Sequence, residues 1–313
     1  TLLLDRVTKV NPANRQVALA NHAPLTYDYC VFALGFVSET FGIKGATANS
    51  LPMTNVDEAV AIHEHIVAQM KDYRQSQDPN DLKIIICGAG FTGIELAGAV
   101  ADARPRYAQL AGVTPDQVTI DIIDASKRLL PMFNDQLAAY GVNLLKKLNV
   151  QITTEALIQG IQPATVLYKR ANDEEGTPLH KVTGNTIIWT TGVSGSPVVA
   201  ESGLPQRRGR VMDSDHLTAP DDDQLYMAGD VSAVMPPAGK RPYPTTAQIA
   251  LSMANYIAKD IAARVKGTSR PGAYTYKSLG TVASVGNTRA FGEASGHSFK
   301  GYPASVLKKI IMN

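Results

Sequence analysis

The chemistry-bearing stretch of this chain is Gly88-Ala89-Gly90-Phe91-Thr92-Gly93-Ile94-Glu95. It follows the apolar run Lys83–Cys87 and passes directly into a helix-like segment. Gly-x-Gly-x-x-Gly between a strand and a helix is the context in which a glycine pattern signals a dinucleotide site. Gly88 permits the tight turn, Gly90 lets a pyrophosphate approach the backbone, and Gly93 lets helix and strand pack closely. Phe91 and Thr92 open the helix, whose first N–H groups and positive dipole end face any phosphate. Val118–Asp124 reads as the next strand and ends on a carboxylate. An acid there accepts hydrogen bonds from a ribose and repels a 2′-phosphate, which favours NADH over NADPH. Lys127 and Arg128, just beyond it, would tolerate a phosphate, so that preference stays open. The competing readings are a merely glycine-rich turn and a solvated strand end.

Other reactive side chains are read more plainly. Glu95 reads as a carboxylate in the first helical turn, where the dipole favours it. Gln248 reads as a polar residue near a helix start. His63 and His65 are two residues apart and face different sides of a helix. A helical metal pair needs a spacing of four, so both read as surface or boundary residues and no metal is expected. Cys30 and Cys87 are far apart in sequence and form no Cys-x-x-Cys pair. No disulfide staple is expected, and a reducing compartment fits. Cys87 reads as a small core residue before the glycine loop, and Trp189 as strand core.

These residues need elements to hold them. With 313 residues the chain should form more than one packed unit. Its 44% hydrophobic and 19% charged residues are ordinary for a globular protein. A net charge of +2 and the lack of basic runs with interleaved aromatics argue against nucleic acid. No apolar stretch approaches the roughly 18 residues of a membrane span, and no secretory leader is apparent.

Residues 1–50 read as short strands, with Arg15–Ala20 and Leu25–Leu34 flanking a turn. Thr54 or Asn55 should cap a helix running to about Tyr73. Gln75–Asp81 reads as a linker. After the glycine unit, Asp135–Leu148 reads as a helix and Val150–Thr153 as a strand. Val166–Lys169 and Val182–Thr191 read as a hairpin. Leu225–Ala228 is predicted as a strand, Thr245–Val265 as a helix, Leu279–Gly292 as a strand pair, and Pro303–Met312 as an amphipathic helix.

Several segments fall in a specific order. Tyr27–Gly35 resembles the strand-plus-glycine that touches flavin in two-dinucleotide flavoproteins. Ile187–Val193 resembles the crossing from their nicotinamide domain back to the flavin domain, and Leu225–Asp230 their strand-Gly-Asp motif. Pro242-Tyr243-Pro244-Thr245-Thr246-Ala247-Gln248-Ile249-Ala250 resembles the Ala-Gln motif of type II NADH:quinone oxidoreductases, and Tyr276–Gly286 the C-terminal sheet of that family. The resemblance runs from Val7 to about Lys309.

The resemblance implies an α/β, two-dinucleotide-binding flavoprotein fold, with an NADH domain inserted in an incomplete FAD domain and a small C-terminal sheet. The implied division is 1–50 partial FAD domain, 51–192 NADH domain, 193–270 FAD domain continued, and 271–313 truncated C-terminal domain. It implies FAD and NADH as cofactors, a quinone as substrate, electron transfer without proton pumping, and a peripheral place on the inner face of the cell membrane. A homodimer is allowed. By resemblance, Val7, Ala33, Gly35, Gly229, Asp230, Ala247 and Gln248 serve the flavin side, Gly192 binds cofactor at the crossing that closes the nicotinamide domain, Gln248 also meets quinone, and Glu95 lies near the nicotinamide–flavin contact. Lys308 or Lys309 would reach the flavin. Family members begin with a second glycine fingerprint, which this chain lacks, so it reads as a fragment expected to hold FAD weakly or not at all. The alternatives are a soluble NADH oxidase, a ferredoxin-type reductase, or a non-catalytic NADH-binding module.

Overall fold

The computed structural model describes every residue except Ala238, Leu279, Ser295 and Asn313, and the side chains of Leu307, Lys309, Ile310, Ile311 and Met312 also lie outside the description. The chain divides into two compact units, residues 1–37 with 193–277 and residues 38–192 with 278–313.

The second unit holds the glycine loop. Its five-stranded parallel sheet runs in the order Leu51–Pro52, Thr186–Trp189, Lys83–Cys87, Thr119–Ile123, Gln151–Thr153. Side chains alternate across a strand, and here the alternation sorts two cores. Ile84, Ile86, Ile120 and Ile122 face helices Val56–Ser76, Phe91–Ala111 and Asp135–Lys147. Ile85, Cys87, Ile123, Ile187 and Trp189 instead pack with Ala156, Ile158, Ile161, Val166 and Tyr168. The latter residues come from an antiparallel sheet of Ala156–Gln162, Thr165–Arg170 and His180–Thr183. Burial on both faces explains why Lys83–Cys87 is a continuous apolar run and not an alternating one.

The helix Val56–Ser76 starts as its cap predicts, with the Asn55 side chain accepting from the Glu58 N–H. The supposed linker after it is ordered. The helix continues to Ser76, a 3-10 turn spans Pro79–Leu82, and Asp81 is buried, accepting hydrogen bonds from Ser76 Oγ and Asn185 Nδ2. The run 182–191 is also not one strand. Its first part closes the antiparallel sheet with Thr165–Arg170, and Thr186–Trp189 enters the parallel sheet beside the glycine strand.

The C-terminal strands Gly280–Val285, Arg289–Ala294 and His297–Lys300 form an antiparallel sheet. The predicted first residue of this pair, Leu279, is outside the described residues. Gly98 brings the sheet against helix Phe91–Ala111, because a Cβ at Gly98 would come within 2.3 Å of the Gly286 nitrogen. Phe291 fills the hollow left by Gly141, where a Cβ would lie 2.4 Å from its ring. Helix Tyr302–Met312 ends the unit.

The first unit carries several small sheets. Val7–Asn11, Gln16–Leu19 and Leu25–Thr26 are antiparallel neighbours, and Cys30–Phe32 runs parallel to Asp222–Met227. The predicted strand Leu25–Leu34 is therefore two strands in different sheets. Helix Ala247–Lys266 is capped by Thr246, whose side chain accepts from Ile249, and it buries Ile249, Met253 and Ile257 against Tyr226 and Val234.

Candidate functional site

In the second unit the glycine loop has the geometry its sequence requires. Gly88 has φ +113°, and a Cβ there would press on the Thr191 hydroxyl at 2.6 Å. A Cβ at Gly93 would lie 1.9 Å from the Gly88 carbonyl oxygen, so helix and strand meet only because Gly93 has no side chain. Thr190 Oγ1 and Thr191 Oγ1 donate to the Cys87 carbonyl oxygen and tie the crossing strand to the turn. Gly90 differs from its neighbours. It has ordinary extended backbone, caps the helix without a side-chain hydrogen bond, and a Cβ there would meet nothing within 4 Å. The helix N-terminus beyond it thus opens to space with no side chain capping it, which fits a pyrophosphate.

Asp124 stands beside this loop. Its Oδ2 accepts from the Ala89 N–H at 2.7 Å and its Oδ1 from the Ser126 N–H at 2.7 Å. Each oxygen keeps a further lone pair for a ribose hydroxyl. A cleft of about 660 Å³ opens here, with Asp124, Ser126, Lys44, Gln159, Thr191 and Trp189 in its wall. Gly192 continues from that wall at φ +86°, with the Phe41 ring where its Cβ would be. Trp189 is buried and donates its indole N–H to the Glu39 carbonyl oxygen, so it serves as wall and core together. Cys87 behind the loop is fully buried, and burial pushes its thiol up to about 12, leaving it inert.

Phe91, Thr92 and Glu95 line a second cleft of about 410 Å³ with Met53, Ser284 and Asn287. Glu95 is not in the first turn, as the sequence reading had it. The helix starts at Phe91, and Glu95 faces the C-terminal sheet. Its Oε1 accepts from the Ser284 N–H at 2.9 Å and from Lys308 Nζ at 2.5 Å, and Lys308 also donates to Ser284 Oγ. Of the two candidate lysines, Lys308 thus has a defined partner, while the side chain of Lys309 lies outside the described residues. His63 and His65 are helix-surface groups bonded to the Tyr107 hydroxyl and the Asn185 carbonyl oxygen. No metal-ligating cluster occurs among the described residues.

In the first unit, Ala33 and Gly229 follow the carboxyl ends of two parallel strands paired Met227 to Phe32. The Ala228 N–H donates to the Phe32 carbonyl oxygen at 2.8 Å. Gly35 has φ +64° and open space where a Cβ would be. Asp230 opens the 3-10 turn Gly229–Val231. Burial raises its pKa against the opposing pull of Arg210. Its carboxylate accepts no hydrogen bond from the described residues, so its lone pairs are available to the hydroxyls of a polyol chain. Ala247 and Gln248 start the helix that packs on this turn, where the Gly229 N–H meets Met253 Sδ at 3.3 Å. Val7 lies one sheet away, packed with Val10 and Phe32 in the apolar core.

The roles of three residues around these groups escaped sequence reading. The Arg210 guanidinium donates to the Ser232 carbonyl oxygen and to that of Tyr243. The Asp213 carboxylate accepts from Ser232 Oγ and the Ala233 N–H, and burial pushes its pKa up to about 7. Tyr276 donates its phenol to Gln248 Oε1 at 3.2 Å. An arginine before a valine, or a tyrosine in a polar stretch, carries no spacing signal; only the folded chain brings them to the motifs.

The chain matches the family of pyridine nucleotide-disulphide oxidoreductases over residues 1–254. The type II NADH:quinone oxidoreductase of Staphylococcus haemolyticus is 35% identical over 307 residues, covering 97% of this chain and 75% of the relative. That of Staphylococcus aureus is 33% identical over the same share of each chain. Among solved structures, NDH2 from Plasmodium falciparum in complex with NADH superposes with a TM-score of 0.86 at 16% identity, covering 99% of this chain and 79% of that one. The sulfide:quinone oxidoreductase of Aquifex aeolicus superposes with a TM-score of 0.76 at 17% identity, covering 98% and 72%. These likenesses bear out the two-dinucleotide flavoprotein fold that the motif order implied. With a glycine loop, a strand-end Gly-Asp turn and an Ala-Gln helix start in family order, the chain belongs to the pyridine nucleotide-disulphide oxidoreductases and, within them, to the type II NADH:quinone oxidoreductases.

Proposed function

We propose that this chain oxidises NADH and reduces a quinone to the quinol, peripherally on the inner face of the cell membrane and without pumping protons. The observation that carries the reading is the open helix N-terminus at Gly90 beside Asp124, a cradle shaped for a pyrophosphate and an unphosphorylated ribose. The names of the staphylococcal relatives support the quinone half. The exposed Tyr302 and Val306 on the last helix support a membrane surface. No helix among the described residues is long and apolar enough to cross a membrane.

Bound FAD would supply the two-electron carrier between hydride donor and quinone. Asp230 would hold its polyol region, with Ala33, Gly35 and Gly229 giving backbone access. Gly88, Gly90 and Gly93 would seat the NADH pyrophosphate on the helix dipole, with Asp124 on the ribose. Glu95, held by Lys308 and Ser284, presents an oriented carboxylate to the cleft lined by Phe91 and Thr92. Gln248 would hydrogen-bond a quinone carbonyl. In balance, NADH, one proton and a quinone give NAD⁺ and a quinol.

Stopped-flow of the FAD-loaded protein tests this. Gln248→Ala should leave flavin reduction by NADH nearly unchanged and slow reoxidation by quinone about tenfold, the equivalent of one hydrogen bond of roughly 1–1.5 kcal/mol. Slowed flavin reduction instead would move Gln248 to the nicotinamide side and refute its role.

A further inference from the structure

We infer that Tyr276 is a positioning residue that fixes which end of the Gln248 amide faces the quinone. The inference rests on the reading of Gln248 as the quinone contact. A glutamine amide carries an acceptor at one end and donors at the other, and a quinone carbonyl can use only the donor. Left free, the side chain samples both orientations. Here the Tyr276 phenol donates to Gln248 Oε1 at 3.2 Å, which occupies the acceptor end. Gln248 Nε2 makes no hydrogen bond among the described residues and is left to the ligand.

Tyr276 is itself held. Its backbone N–H donates to the Tyr243 hydroxyl at 3.1 Å, and the two rings meet edge to face with centroids 6.1 Å apart. The Tyr243 ring also meets Tyr274 edge to face at 5.9 Å, and its carbonyl oxygen accepts from Arg210. Arg210 in turn holds the Ser232 carbonyl oxygen, just past the turn that carries Asp230. A chain of contacts thus runs from the Asp230 turn through Arg210, Tyr243 and Tyr276 to the amide. Arg210, the turn at Asp230, Tyr243 and Tyr276 lie on four separate segments, so the helix start alone does not set the orientation of Gln248.

The experiment is a double-mutant cycle on the FAD-loaded full chain with Tyr276→Phe, Gln248→Ala and the pair. The probe is 2-methyl-1,4-naphthoquinone, and binding to the oxidised protein is read by equilibrium dialysis beside the quinone KM. Tyr276→Phe should raise both Kd and KM about three- to tenfold, since it removes one neutral hydrogen bond. The KM for NADH and the rate of flavin reduction should stay unchanged, and so should the thermal midpoint within a degree or two. In the Gln248→Ala background, Tyr276→Phe should add nothing, because it acts only through the amide. Additive losses would overturn the inference, as would a parallel loss in the NADH half-reaction. If Gln248→Ala impairs quinone binding and Tyr276→Phe does not, the positioning role fails and the quinone reading stands. If Gln248→Ala has no effect, both fail.

Discussion

Gly90→Val separates the proposed ligand role of the loop from its structural role. Gly90 has φ −69° and ψ −175°, extended backbone that a β-branched residue adopts readily. A Cβ there meets no protein atom within 4 Å, so the folded state should accept the valine without strain. The methyl groups would instead occupy the approach to the helix N-terminus. A charged hydrogen bond is worth roughly 1.5–3 kcal/mol, and displacing a pyrophosphate from one or two such N–H groups should weaken NADH binding by about a hundredfold. Trp189 is the single tryptophan and stands in the wall of the adjacent cleft. Energy transfer from its indole to the bound nicotinamide reports occupancy, and calorimetry gives the affinity. The thermal midpoint should stay where it was. Equal NADH affinity in wild type and variant would refute the loop as the pyrophosphate site. Gly93→Ala is the contrasting control. Its methyl would lie 1.9 Å from the Gly88 carbonyl oxygen, so it should lower the midpoint by several degrees before any ligand is added.

Asp124→Ala removes acceptors from the Ala89 and Ser126 N–H groups as well as from a ribose; the NADH/NADPH affinity ratio should fall by about tenfold, and an unmoved ratio places the selecting acid elsewhere. Gly98→Ala should gain up to about 1 kcal/mol of helix propensity yet lose more, because its methyl would overlap the Gly286 and Val285 backbone. Net destabilisation in urea is expected, and stabilisation would mean the C-terminal sheet does not press on this helix. Asp213, raised to about 7 by burial, binds its proton more tightly folded than unfolded, so its share of stability falls as pH rises from about 4 to about 7 and is flat above. Asp213→Asn keeps an acceptor for Ser232 and cannot ionise, so the midpoint of the variant minus that of wild type should be more positive at pH 8 than at pH 5; a constant difference would show that Asp213 ionises normally.

What the sequence determined was whatever a short local pattern encodes. The glycine spacing, the strand before it and the Asn55 cap are local in chain and in space, so one reading frame holds all their physics. The order of Gly-Asp, Ala-Gln and C-terminal segments named the family, because order survives where single motifs are weak. The run 182–191 shows where legibility stops. Its residues are uniformly strand-like, and only the competition between two sheets splits it after Thr183. Leu25–Leu34 divides for the same reason. Glu95 reads as a dipole-favoured helix acid, but its partners Ser284 and Lys308 are 189 and 213 residues away along the chain. Asp213 and Arg210 lie in no pattern, and the segment that begins at Tyr276 gives no sign of its contact with Gln248. A hydrogen bond needs two atoms within about 3.5 Å, and for these side chains that closeness is a property of packing, which sequence spacing does not carry.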